Sequence, residues 1–274
     1  MIINLGNAKL DINFEELDSF RRVQKPDLDS FCRNNPQYPP IVVSRKREDY
    51  ILIPDVKGLF GDPVFVSKFE VSGTNGKNYE DTHRLVFQSQ NGLYIPPPRI
   101  FMPHFKNVVG TYNNNGVLLD ANANPISGEE HEEIYRHLTT NFKDIYGHNR
   151  PGAWTWLNAR FVPGSGFNEL DLETVVGIEQ NGSLRTKKEP LMPYLKKDCY
   201  AELEFNAQGL PTSEAAYQEY RQGKKLRSFY PREGSVARFD ADSDGAGFDC
   251  GRGPQGSNSA LGVFLCTEGG HFEN

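Results

Sequence analysis

The chain has 274 residues, 37% of them hydrophobic and 24% charged, with 26 glycines, 18 prolines and a net charge of −6. That balance predicts a soluble globular protein rather than a disordered one, and its many turn residues suit short strands better than a helix bundle. The acidic balance excludes a broad nucleic-acid face, and no apolar run approaches the roughly 18 residues that span a bilayer, so neither nucleic acid nor membrane is an expected partner.

In chain order, the first 40 residues read as helical. Asn13 and Glu16 form a capping box, and a second short helix starts near Asp27 and ends before Pro36. Residues 41–46, 50–54, 64–72 and 83–89 read as strands, and the prolines at 96–98 demand an extended segment. Residues 112–126 carry hairpin or loop chemistry. Ser127 and Glu130 then cap a helix over 128–145, with Ile134, Leu138, Phe142 and Ile145 on one side and Gly147 as its stop. Beyond Pro151 the β pattern returns at 153–162, 168–179, 183–188, 200–205, 226–230, 235–240 and 260–266, interrupted by a helix over 213–222. The expected class is β-rich α+β, with an antiparallel sandwich or bent sheet in the C-terminal half. One domain over 1–274 is the simpler organisation; a division into 1–150 and 151–274 is the alternative.

The N-terminus has no basic region and no continuous apolar stretch, so no secretory leader is expected. Cytoplasmic location and four free thiols (Cys32, Cys199, Cys250, Cys266) follow, whereas a cleaved leader would make Cys250 and Cys266 a plausible disulfide. Nothing here speaks to oligomeric state.

The densest chemistry lies in Glu169-Leu-Asp171-Leu-Glu173. On a strand the three carboxylates share one face and need a cationic answer. Asn181-Gly182 reads as a two-residue type I′ turn, which pairs Glu179 with Leu184 and sets Lys188 diagonal to Glu173. The same register turns Arg185 and Lys187 toward the apolar face unless Gly177 hosts a bulge. That hairpin answers Glu173 and leaves Glu169 and Asp171 open. A plain solvent-facing strand is one reading.

The same residues resemble the Glu-x-Asp-x-Glu active-site motif of family-16 glycoside hydrolases, over about 25 residues. The resemblance implies a retaining mechanism with Glu169 as nucleophile, Glu173 as acid/base and Asp171 between them. Such chemistry needs two carboxyl groups about 5–5.5 Å apart. The backbones of Glu169 and Glu173 would lie about 13 Å apart on a strand, so both side chains would have to lean inward. Upstream, Trp154, Trp156, Asn158 and Arg160 alternate onto one face, as a sugar-binding platform or as core.

Asp240-Ala-Asp242-Ser-Asp244-Gly245 has the form of a calcium loop. Position twelve is Gly251, which excludes an EF-hand; a different calcium loop closed by Asp249, or a simple acidic turn, fits the pattern. Phosphate-loop, dinucleotide, nucleophile-elbow and zinc-helix signatures are absent. The leading expectation is a binding protein with a calcium site and a carbohydrate face. A retaining glycoside hydrolase and a structural protein with no site are the alternatives.

Overall fold

The computed structural model describes residues 41, 43–58, 61–89, 92–140, 152–164, 169–269 and 272, with short backbone pairs at 4–5, 8–9, 142–143 and 149–150. The two helices expected before Pro36 lie outside the described residues. The strands are β1 (Asn4–Leu5), β2 (Ala8–Lys9), β3 (Tyr50–Lys57), β4 (Pro63–Ser67), β5 (Phe142–Lys143), β6 (Asn149–Arg150) and β7 (Trp154–Pro163). They continue with β8 (Leu170–Ile178), β9 (Leu184–Pro190), β10 (Cys199–Glu202), β11 (Lys225–Phe229), β12 (Val236–Asp242), β13 (Gly245–Arg252) and β14 (Cys266–Glu268). The described α-helices are α1 (Tyr79–Gln88), α2 (Pro98–Asn113) and α3 (Gly128–Thr139). The protein is β-rich α+β.

A seven-stranded sheet in the order β10-β11-β13-β12-β7-β8-β9 forms the centre. Its pairs are antiparallel except β11 with β13, which run parallel, so the sheet is mixed rather than purely antiparallel. A three-stranded antiparallel sheet, β14-β4-β3, lies beside it. Alternation gives the large sheet two different faces. Leu157, Phe161, Leu172, Phe239 and Phe248 pack with Phe101 and Phe105 of α2 and Ile134 and Leu138 of α3. Trp156, Val175 and Val236 pack on the other face with Tyr79 and Val86 of α1 and with Leu261, Val263 and Leu265. The second face is the one that carries Arg160 and Glu173.

The helix assignments change at four places. The segment 83–89 is helix, not strand: Asn78 accepts from the Asp81 amide at 2.9 Å, and Tyr79, Thr82, His83 and Val86 bury one side. Helix α2 was not expected; Pro98 sits at its first position, where no amide is needed, and burial of Ile100, Phe101, Phe105, Val108 and Val109 outweighs Pro103 in its interior. Residues 213–222 form no helix, because their backbone is committed elsewhere: Glu202 donates to the Ser213 carbonyl at 3.0 Å and Ala215 to that of Tyr200 at 2.8 Å. Helix α3 also stops at Thr139 instead of 145, where the Thr139 hydroxyl bonds back to the Tyr135 carbonyl and Thr140 turns extended. Residues 41 and 43–46 form no strand, and the strand expected over 260–266 is confined to Cys266–Glu268. Cys199, Cys250 and Cys266 are free thiols, the last two buried.

The β8–β9 hairpin has a bulge at Val176, beside the glycine that the alternation required. Val175 pairs with Thr186 and Gly177 with Arg185, which brings Glu173 directly opposite Lys188. The turn itself is different from a two-residue type I′. Gly182 donates to Glu179 at 2.9 Å and takes φ +83°, while Asn181 stays out of the left-handed region, so Ile178 rather than Glu179 faces Leu184.

Candidate functional site

The three carboxylates of the acidic strand have three different surroundings. Glu169 is 77% exposed and bonds Lys196 at 2.6 Å, a contact that lowers its pKa. It borders a shallow cleft of about 340 Å³ with Leu191, Met192 and Tyr194. Asp171 is buried between Val162 and Pro190. Glu173 is only 14% exposed and lies between Arg160 on β7 and Lys188 on β9. Its Oε2 accepts from the Thr186 hydroxyl at 3.2 Å and lies 3.6 Å from the Lys188 ammonium.

Glu173 opens into another cleft, also about 340 Å³, between α1 and the β7–β8–β9 end of the sheet. The two clefts share no lining residue. The fold therefore does not bring Glu169 and Glu173 together.

Helix α1 builds one wall of the second cleft. Its Arg84 is a clamp: Nη2 lies 3.0 Å from Glu80 Oε2, Nη1 3.0 Å from Asp81, and Nε donates to the Gly182 carbonyl at 3.3 Å. Those bonds tie α1 to the tip of the β8–β9 hairpin. Glu80 Oε1 in turn lies 3.7 Å from Arg160 Nη1. The lining thus holds two guanidinium and two carboxylate groups, Arg84 and Arg160 against Glu80 and Glu173, and its charge balances. Val175 and Leu184 supply apolar surface.

Two donors in this wall stand out. The Tyr79 side chain is 2% exposed, and its hydroxyl has no hydrogen-bond partner among the described residues. Arg160 Nε is likewise buried and without an acceptor among them. Burial, with Glu173 next in weight, pushes the Tyr79 phenol up, so it remains a proton donor. Behind it His83 is fully buried, packs on the Tyr79 ring at 4.6 Å, and is held neutral by burial, which lowers its pKa to about 3.

The chain matches no known family model. Neither a curated protein nor a solved structure matches it either. The clefts and their chemistry are therefore the whole basis for a functional reading.

Of the expected sugar platform, only Arg160 reaches the cleft. Trp154 is half-buried, covered by the Arg238 guanidinium at 5.0 Å from its ring. Trp156 is buried, donates to the Lys77 carbonyl at 3.1 Å and meets the Tyr79 ring edge-on at 5.9 Å. Asn158 is buried too, and its amide bonds both the Val175 N–H (2.7 Å) and carbonyl (2.8 Å), holding β8 where β7 diverges from it. Tyr79, Glu80 and Arg84 escaped sequence reasoning because 83–89 looked like a strand; the Asn78–Asp81 cap was the available signal.

The Asp240 segment is a β-hairpin. Asp240 and Asp242 lie on β12, Asp244 is in the two-residue turn closed by Gly245 at φ +98°, and Asp249 is on β13. Arginines face these carboxylates. Arg238 lies 3.1 Å from Asp240 and 3.5 Å from Asp249, Arg252 is 2.6 Å from Asp249, and Arg227 is 3.4 and 3.5 Å from Asp242 and Asp244. Among the described residues no group of three or more His, Cys, Asp or Glu is placed to hold a metal ion. Burial pushes the Asp240 carboxyl up to about 6 against the pull of Arg238. Among the described residues no helix is long and apolar enough to cross a membrane.

Proposed function

We propose that this chain is a binding protein for a small neutral carbohydrate, held in the cleft between α1 and the β7–β8–β9 end of the sheet. The observation that carries the reading is a cleft of about 340 Å³ lined by Arg160, Glu173, Ser183 and Thr186 beside the apolar Val175 and Leu184. The size of the cleft suits a small ligand. Its balanced charge disfavours a net anion or cation, and a sugar offers the alternating donors and acceptors that Arg160, Glu173, Ser183 and Thr186 can read.

Binding is favoured over hydrolysis by the arrangement of carboxylates. A retaining glycosidase needs its two carboxyl groups across one bond. Glu169 and Glu173 border separate clefts. The other carboxylate beside Glu173, Glu80, has its oxygens turned to Arg84 and Arg160 at 3.0 and 3.7 Å.

Titration calorimetry with a panel of neutral mono- and disaccharides tests this. At least one binds, Glu173→Gln weakens it about tenfold, as loss of a charge-assisted hydrogen bond does, and Glu169→Gln leaves it unchanged. If every sugar is silent at millimolar concentration, the reading is wrong.

A further inference from the structure

Helix α1, which walls the cleft, carries a group that ligand binding does not use. His83 is fully buried, and neither of its ring nitrogens has a hydrogen-bond partner among the described residues. Its ring stands between that of Tyr79, at 4.6 Å, and that of Phe87, stacked at 6.3 Å. His104 of α2 is buried in the same way against Phe101 and Phe264. The others described have acceptors: His131 meets the Thr111 hydroxyl and the Val108 carbonyl, and His137 meets Glu70. A phenyl ring would fill the His83 position without stranding two nitrogens, which is costly. What imidazole adds there is a proton site that the packed helix refuses.

None of the charged groups around α1 reaches that ring. On the helix itself Glu80 and Asp81 hold Arg84. Strand β7 brings Arg160, 3.7 Å from Glu80, while β8 brings Glu173 and β9 brings Lys188, 3.6 Å from each other. Lys77 precedes the helix, and residues 254–265, which pack beside it, carry no ionisable side chain. Desolvation alone lowers the His83 pKa, to about 3.

We propose that protonation of His83 unlatches α1 from the sheet, so that acid takes away the helical wall of the cleft; the consequence for a ligand rests on the carbohydrate reading above. A ring freed into water takes its proton near pH 6.5. The packed ring has the lower pKa, so the stability of the closed helix is complete above pH 6.5 and is lost as pH falls toward 3. Helix α1 can leave by itself, because Tyr79 and Val86 pack on one face of the sheet and Arg84 ties its outer side to the Gly182 carbonyl. His104 is released only when Phe101, Phe105 and Val108 of α2 leave the central core. Tyr79, Glu80 and Arg84 depart with α1, whereas Arg160, Glu173 and Thr186 stay on the sheet.

Amide hydrogen exchange on the full chain, without sugar, tests this. Corrected for the intrinsic rate at each pH, protection of the α1 amides should fall about 25-fold between pH 7 and pH 5, the one-proton change for a group that titrates at 6.5 when free. That window lies above the ordinary carboxylate range. His83→Phe should remove most of the loss, and His104→Phe should leave it in place. Protection that is flat with pH in the parent overturns the proposal, as does a loss that persists in His83→Phe. Equal protection of α1 and α2 at every pH also overturns it, because the helix then leaves only with the whole fold. Should His83→Phe fail to fold, the ring of His83 in the parent is followed by NMR: a neutral imidazole at pH 5 supports the proposal and a charged one overturns it. No outcome depends on a sugar, so failure here leaves the carbohydrate reading standing, and silence of every sugar leaves the acid response of α1 to be read.

Discussion

Tyr79→Phe removes one oxygen from the wall of the cleft and leaves the ring in place. The edge-on contacts with His83 at 4.6 Å and Trp156 at 5.9 Å need only the ring, so the packing of α1 on the sheet is retained. The lost hydroxyl is buried and has no partner among the described residues, so in the free protein its removal relieves a desolvation cost of about 1–3 kcal/mol. The variant should therefore unfold at higher urea, with about 1 kcal/mol of added stability. By thermal melting this is roughly 2–4 °C, the shift per kcal/mol for domains somewhat smaller than this one. A ligand at a hundred times its dissociation constant stabilises the native state by about 2.7 kcal/mol, and the variant, which keeps Arg160, Glu173 and Thr186 in the cleft, should receive the same. Paired urea titrations with and without the sugar measure both effects. If Tyr79→Phe is less stable than the parent without ligand, the hydroxyl already has a partner in the free protein, and the desolvation argument fails.

Asp240→Asn tests the arginine network through pH. The Asp240 carboxyl is raised from 3.8 to about 6, so the folded protein takes up this proton before the unfolded chain does. Its contribution is complete below pH 3.8 and is lost as pH rises through 6, an effect of at most about 3 kcal/mol at 1.36 kcal/mol per unit. The Asn variant should thus exceed the parent in stability at pH 8 and converge with it near pH 4, as read by urea unfolding at each pH; a gap independent of pH would contradict the assignment. Asn158→Ala should cost about 2–4 kcal/mol by the same measurement, because it strands the buried N–H and carbonyl of Val175. A cost below 1 kcal/mol would mean that β8 does not depend on that side chain. Added calcium or chelator should shift the melting midpoint by less than about 1 °C, since a ligand stabilises only what it binds and guanidinium groups already face Asp240, Asp242, Asp244 and Asp249. A clear upward shift with calcium would show that the arginines yield to the ion.

Some of these features are written in short-range pattern. Alternation placed β7, β8 and β9, and the conflict it created at Arg185 and Lys187 called for the bulge found beside Gly177. The Ser127 cap announced α3. Where competing local signals were close in strength, tertiary contacts chose between them. His83-Arg-Leu-Val-Phe-Gln has strand-like composition, yet it is helix because one side of α1 fills the gap over Trp156 and Val175. The acidic run from Asp240 to Asp244 has loop-like composition, yet it is strand and turn because β12 lies between β13 and β7.

By itself the sequence determined the class of the fold, most of its strands, and the side of β7 and β8 on which Arg160 and Glu173 stand. These follow from the period of the backbone, which a reader can count. It could not determine which charges meet. Lys196 on Glu169, Arg84 on Glu80 and Arg238 between Asp240 and Asp249 join residues from separate strands, helices and loops, or depend on a strand pairing not visible in the chain. Only the tertiary structure parted Glu169 from Glu173 and set Tyr79 against the latter's cleft, because the position of a helix over a sheet depends on the packing of both, not on the spacing within either.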